Sequence, residues 1–165
     1  MEKRILTRDT DYEVINIIYR ILRKSSGEMM KKGLFCWMLP YSKRAIRKDC
    51  KDKVVVLVWD VELDDFSSTF QMFAKNGVVY VRKMTTLPEY EGLGVASRNM
   101  AYVEAYAQKM DCPCVHVEMF AGNKAAIAFY EHLGFKTVAT KQLWIFKTLV
   151  MEKAVVMEEP GVQQS

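Results

Sequence analysis

Apolar positions recur along this chain with two different periods, and the switches between them divide it into elements. Tyr12, Ile15, Tyr19 and Leu22 fall on one face at helical spacing behind Thr10-Asp11-Tyr12-Glu13, a capping-box pattern, so a first helix is expected there, after a short apolar run at Ile5-Leu6. Lys and Arg gather near its end, where they complement the helix dipole, and Ser25-Ser26-Gly27 is expected to stop it. Met29 to Met38 is less periodic, with Leu34, Phe35 and Trp37 ahead of Pro40, and a second short helix is expected over Ser42 to Lys48. The continuous β-branched run from Val54 to Trp59 reads as a strand covered on both faces. Asp60 to Asp65 is acidic and reads as the turn into a hairpin. Thr69 to Ala74 and Val78 to Met84 follow as strands, joined by Lys75-Asn76-Gly77, and Asn-Gly between apolar runs is a strong hairpin signal.

Helical spacing returns from Val95 through Met110, with Asn99, Val103, Tyr106 and Met110 in line. Cys114 to Phe120 reads as a strand, and Asn123 to Leu133 as a helix ended by Gly134. Lys136 to Thr140 and Leu143 to Met151 are expected to close the chain as an antiparallel pair. This order predicts an α/β fold, a mixed, mostly antiparallel sheet flanked by helices on both faces. Residues 1–157 are expected to form a single domain, and the polar segment 158–165 a disordered tail. The order alone names no function.

Composition narrows the classes. Half of the 165 residues are hydrophobic and the formal charge is only +4, without the dense Lys/Arg clusters of a nucleic-acid footprint, so no nucleic-acid partner is expected. No stretch approaches the ~18 apolar residues of a membrane span, and Met1-Glu2-Lys3-Arg4-Ile5 leads into an amphipathic pattern without a signal-peptide core; a cytoplasmic protein is expected. Cys36, Cys50, Cys112 and Cys114 contain no CxxC, so they are expected to be reduced thiols with no metal site.

The segment with most chemical content is Thr85-Thr86-Leu87-Pro88-Glu89-Tyr90-Glu91-Gly92-Leu93-Gly94-Val95-Ala96. A strand ends, Pro prevents its continuation, and small residues form a loop that opens directly into a helix. Such a loop turns several backbone N–H groups toward one point at the positive end of a helix dipole, which makes an anion cradle suited to a pyrophosphate. No Gly-Lys-Ser/Thr follows, which disfavours a P-loop, and only Gly92-x-Gly94 of the GxGxxG dinucleotide fingerprint is present. A lone GxG is as often a plain structural turn.

Two motifs together are more specific. Glu91-x-x-Gly94-x-Ala96 resembles the pyrophosphate loop of the GNAT acetyltransferase superfamily, Gln/Arg-x-x-Gly-x-Gly/Ala. Asn123 through Phe135, with Ala126, Phe129, Tyr130 and Gly134, is similar to its second signature, Asn-x-x-Ala-x-x-Phe/Leu-Tyr-x-x-x-Gly-Phe. Glu91 departs from the usual Gln or Arg, and a carboxylate beside a pyrophosphate is electrostatically unhelpful; because the loop binds through backbone amides, Glu91 is expected to point into solvent.

The resemblance implies acetyl-CoA as co-substrate, held by Met84, Thr85 and Thr86 on a splayed strand end, by Glu91, Gly92, Leu93, Gly94, Val95, Ala96 and Ser97, and by Asn123, Phe129 and Tyr130. It implies that Tyr130 protonates the CoA sulfur; the competing role is a packed core aromatic. Asn123 would reach the pantetheine arm, and N-cap the last helix as well. Glu118 matches the glutamate that serves as base in the related ribosomal-protein N-terminal acetyltransferases, with His116 on the same strand face to relay the proton; a half-exposed sheet residue is the plainer reading. Asp60, Glu62, Asp64 and Asp65 offer a second base or a lure for a cationic amine, or only a solvated turn. Trp37, Tyr41 and Trp144, with Phe35 and Leu143, would line the acceptor site unless they pack in the core. The expected function is acetyl transfer to a small-molecule amine or a protein N-terminal amine by direct attack, in a monomer or homodimer. A catalytically inactive acyl-CoA-binding or partner-binding module of the same fold is the alternative.

Overall fold

The β-branched run at Val54 becomes one strand of a seven-stranded sheet, and alternation along it divides the core in two. Val55 and Leu57 face one layer, Val56 and Val58 the other, and all four are fully buried. A computed structural model describes residues 2–6, 10–34 and 41–157. The elements in chain order are β1 (Glu2–Leu6), α1 (Tyr12–Lys31), α2 (Lys43–Asp52), β2 (Val54–Asp60), β3 (Asp65–Lys75), β4 (Val78–Thr86), α3 (Val95–Lys109), β5 (Cys114–Phe120), α4 (Lys124–His132), β6 (Lys136–Leu143) and β7 (Phe146–Ala154). The strands lie in the order β1-β2-β3-β4-β5-β7-β6, and every neighbouring pair is antiparallel except β4 and β5. Ile15, Ile18 and Ile21 of α1 and Ile46 of α2 pack on Val55 and Leu57. Met100, Val103 and Ala107 of α3, with Tyr130 of α4, lie in the opposite layer with Val56, Phe70 and Val115. Helices thus cover both faces of a mixed, mostly antiparallel sheet.

Several boundaries differ from the expectation. Helix α1 does not stop at Ser25-Ser26-Gly27 but continues to Lys31. Ser25 is buried and its hydroxyl donates to the Thr86 carbonyl at 3.0 Å, so a residue that reads as a breaker serves as a tertiary anchor. The helix ends instead at Lys32, followed by Gly33 in the left-handed region at φ 79°. Its N-cap is Asp11 rather than Thr10, with the Glu13 amide donating to Asp11 Oδ1 at 3.3 Å. The acidic turn is shorter than expected because Asp60 and Asp65 pair with each other across β2 and β3. The Asn76-Gly77 turn has φ of 52° and 74°, two successive left-handed residues as a two-residue hairpin requires. The closing hairpin turns at Trp144-Ile145, later than expected, and β7 runs on to Ala154, which pairs with Cys114.

One irregularity positions the site. Thr85 and Arg82 of β4 face Thr69 and Gln71 of β3, so three steps on one strand oppose two on the other, and Lys83 takes up the extra residue at φ 53°. Parallel pairing with β5 ends just before this bulge, at Val81 and Val117. Beyond it β5 stays with β7 through Phe120, while β4 is tied to the other side by the Ser68 hydroxyl on the Thr85 carbonyl (2.7 Å), Ser25 on Thr86, and the Leu87 amide on the Ser67 carbonyl (2.9 Å). The two strands therefore part. Ser25→Ala, which removes one tie, should lower stability by about 1 kcal/mol in urea denaturation, the usual net value of one such hydrogen bond.

Candidate active site

The loop after β4 passes through a 3-10 turn at Pro88–Tyr90 and then places Gly92 and Gly94 in the left-handed region, at φ 79° and 74°. Gly94 is the N-cap of α3 and offers no side chain to the helix amides, which therefore face outward without a cap partner. With Thr86, Tyr90, Ser97 and Phe129 this helix entry lines a cavity of about 270 Å³. Val95 and Ala96 border it, and so does Glu91, whose exposed carboxylate lies 3.9 Å from Lys32 Nζ. The side chain of Leu93 is exposed; its carbonyl accepts from Arg98 Nη1 at 3.0 Å. Arg98 Nη2 in turn donates to the buried Asp60 carboxylate at 3.0 Å, and the Tyr90 hydroxyl donates to Asp65 Oδ2 at 2.9 Å. Asp60 and Asp65, which the sequence offered as partners for an amine, instead fasten the loop to the ends of β2 and β3. A glycine-led helix entry, held rigid with its amides outward, fits a pyrophosphate.

On the preceding strand, Thr85 is buried, its carbonyl held by Ser68 and its hydroxyl donating to the Lys83 carbonyl at 3.0 Å. Asn99 of α3 is fully buried and donates to Ser68 Oγ at 2.8 Å; the sulfur of Met84 lies 3.7 Å from the same nitrogen. These ties use the side of β4 that faces β3. The side toward β5 has no strand partner after Val81.

Asn123 caps α4, its Oδ1 accepting from the Ala126 amide at 3.2 Å. Tyr130 is buried and packs edge-on against Phe129 (centroids 5.0 Å), which lines the cavity, and against Phe135 (5.3 Å). Burial holds its phenol well above its ordinary value, so the group stays protonated. No hydrogen bond to its hydroxyl is formed among the described residues.

Across the parting, Tyr80, Arg82, Lys83, His116 and Glu118 line a second cavity of about 140 Å³. His116 Nε2 lies 3.1 Å from Glu118 Oε1 and Nδ1 lies 2.9 Å from Glu152 Oε1, so each ring nitrogen faces a carboxylate. Lys141 of β6 donates to the same Glu118 oxygen at 2.6 Å. Burial pushes the Glu118 carboxyl up, but the hydrogen bonds from Lys141 and His116, with the charges of Lys141 and Arg82, outweigh it and hold the group below its ordinary range.

Of the aromatics expected at the acceptor site, Trp37, with Phe35, lies outside the described residues. Tyr41 accepts from Gln71 Nε2 at 2.9 Å and borders a cleft between α2 and β4. Trp144 does not pack in the core of the described residues: it sits at the β6–β7 turn with 91% of its surface exposed. Arg98, Asn99, Lys141 and Glu152 were not singled out by sequence. Asn99 carried a signal, a polar residue within the apolar line of a helix; the other three have partners distant in sequence and carried none. Among the described residues Cys50, Cys112 and Cys114 are free thiols, and no cluster of His, Cys, Asp or Glu is grouped to hold a metal ion.

Comparison with known proteins agrees with this geometry. The chain superposes on the ribosomal-protein-S18-alanine N-acetyltransferase from Escherichia coli with a TM-score of 0.74 at 14% identity, covering 98% of this chain and 99% of that one. An aminoglycoside 6'-N-acetyltransferase complexed with coenzyme A gives 0.74 at 12% identity over 96% and 99% of the two chains. The PaiA N-acetyltransferase from Thermoplasma acidophilum, in complex with coenzyme A, gives 0.73 at 15% identity over 93% and 99%. At such identities the likeness establishes the fold alone. The sequence itself matches the acetyltransferase (GNAT) family over residues 36–135, more than half of its length, and the chain therefore belongs to the GNAT acetyltransferase family.

Proposed function

We propose that this protein transfers the acetyl group of acetyl-CoA to a primary amine by direct attack, with Tyr130 as general acid and Glu118 as base. The observation that carries the reading is the parting of β4 from β5, which is bordered by an anion cradle at one cavity and by an ionised carboxylate at the other. Bound acetyl-CoA supplies an activated thioester; the rest is done by the chain. The outward amides of the Gly92–Ser97 segment hold the pyrophosphate, and the free edge of β4 at Met84–Thr86 offers backbone groups to the pantetheine arm and the thioester oxygen. Tyr130, kept neutral by burial and with no hydrogen-bond partner among the described residues, can give its proton to a departing thiolate. Glu118, kept ionised, attracts an ammonium group into its cavity in exchange for Lys141, takes the amine's proton, and can pass it through His116 toward Glu152.

One observation favours the non-catalytic alternative: the Lys141–Glu118 ion pair already satisfies the proposed base. Titration calorimetry with acetyl-CoA, set against dephospho-CoA and ATP, followed by thiol release from acetyl-CoA in the presence of a mixed amine pool, separates the two readings. Selective binding with amine-dependent release is expected; selective binding without release would leave an acyl-CoA-binding module.

Tyr130→Phe should lower kcat by about 10²- to 10⁴-fold, the range for loss of a general acid, with little change in acetyl-CoA affinity; an unchanged kcat removes Tyr130 from that role. Gly94→Glu should abolish acetyl-CoA binding in calorimetry. The position is left-handed, a Cβ there would meet Arg98 Nη1 at 3.3 Å, and the new carboxylate would face the pyrophosphate.

A further inference from the structure

The bulge in β4 has a second effect, on side chains. In a regular strand Arg82 and Lys83 would point to opposite faces. With Lys83 at φ 53° both point to the α1–α2 face, and both line two cavities at once. One is the 140 Å³ cavity that holds Glu118, and the other is the cleft of about 450 Å³ between α2 and β3–β4. The two spaces share these cations as a common wall, and the larger is of a size that accepts a small molecule.

The charges in the cleft do not cancel. Lys48, Lys53, Arg82 and Lys83 line it against Asp49 and Asp52. Asp49 is already engaged: Lys53 is ion-paired to it, Gln71 Nε2 donates to it at 3.0 Å, and Lys83 Nζ lies 3.8 Å away. Lys48 and Arg82 have no carboxylate within ion-pair distance among the described residues, and the Arg82 guanidinium stands 6.0 Å from the centre of the Phe73 ring. Burial lowers the Lys83 ammonium to about 8, against the opposing pull of Asp49, so it remains largely charged at neutral pH, and it lies over the Tyr41 ring at 2.8 Å from the ring centre. Of the acidic turn, which by sequence pointed to a cationic substrate, Asp60 and Asp65 are engaged by Arg98 and Tyr90, while Glu62 and Asp64 are exposed. The acceptor region thus has carboxylates on one side, Glu118 and Glu152 around His116, and cations on the other, where Lys48 joins Arg82 and Lys83, the wall that both spaces share.

We propose that this cleft is an anion subsite, so that the acceptor is a small amine carrying a carboxylate or phosphate, with its ammonium toward Glu118 and its anion between Lys48 and Arg82. The inference rests on the acetyltransferase reading, and its test separates the two. In the first arm, thiol release from acetyl-CoA is followed with matched acceptors: an amino acid against its carboxamide, and an amino sugar against its phosphate ester. The anionic member of at least one pair should be favoured about tenfold or more in kcat/KM, about 1.4 kcal/mol, and the pair that responds separates carboxylate from phosphate. Arg82→Glu and Lys48→Glu should each erase that preference while acetyl-CoA binding, measured by calorimetry, is retained. Equal turnover within both pairs, or a preference that survives both substitutions, overturns the proposal. If acetyl-CoA binds but no acceptor is turned over, the acetyltransferase reading fails, and the second arm decides the subsite alone. Inorganic phosphate is titrated into protein saturated with CoA, so that the pyrophosphate cradle is filled. Millimolar binding lost in Arg82→Glu upholds the subsite; no heat, or heat unchanged by the substitution, overturns it.

Discussion

The end of pairing between β4 and β5 is the constraint around which the rest of the molecule is arranged. A parallel pair that stops inside a sheet leaves backbone donors and acceptors without partners, and such groups are costly unless something else satisfies them. Here the divergence follows from one extra residue in β4, with Lys83 held left-handed against β3. The strand is then pulled away from β5 by contacts on its other side, from Ser25 of α1, from Ser68 and Ser67 of β3, and through Ser68 from Asn99 of α3. Three elements therefore hold the gap open before any ligand arrives, which is what a preorganised site requires.

The same arrangement disposes of the polar groups that would otherwise be hazardous in the core. Asp60, with almost no exposed surface, is matched by Arg98, and that guanidinium also holds the Leu93 carbonyl, so one cation fixes both the end of β2 and the glycine loop. Rigidity in that loop matters because its amides can converge on an anion only if Gly92 and Gly94 keep their left-handed geometry. Glu91, the departure from the family pattern, has an exposed carboxylate and is associated with Lys32, so its charge is partly offset by α1's C-terminal cation.

The bulge links the acyl-donor side to the acceptor side. It frees the β4 edge, and it also brings Arg82 and Lys83 to a single face beside His116 and Glu118. One backbone irregularity thereby produces both a strand gap and a charged wall. A regular strand would have produced neither, since its edge would remain paired and its consecutive side chains would alternate.

What the sequence determined by itself is local. The period of apolar residues set the element order, Asn76-Gly77 set a mirror-image turn, and Gly94 followed by Val95 set an uncapped helix entry. Each depends on residues a few positions apart, which is why each was legible. The tertiary structure decided whatever depends on distant partners. Ser25 reads as a helix breaker until Thr86, sixty-one positions away, accepts its proton. Asp60 and Asp65 read as a solvated turn until Arg98 and Tyr90 claim them, and Glu118 reads as a half-exposed sheet residue or a base until Lys141 folds back over it from β6. Neither the parting of β4 from β5 nor the bulge that causes it has a signature in Arg82-Lys83-Met84, because a register is a property of two strands and no single strand's residues specify it.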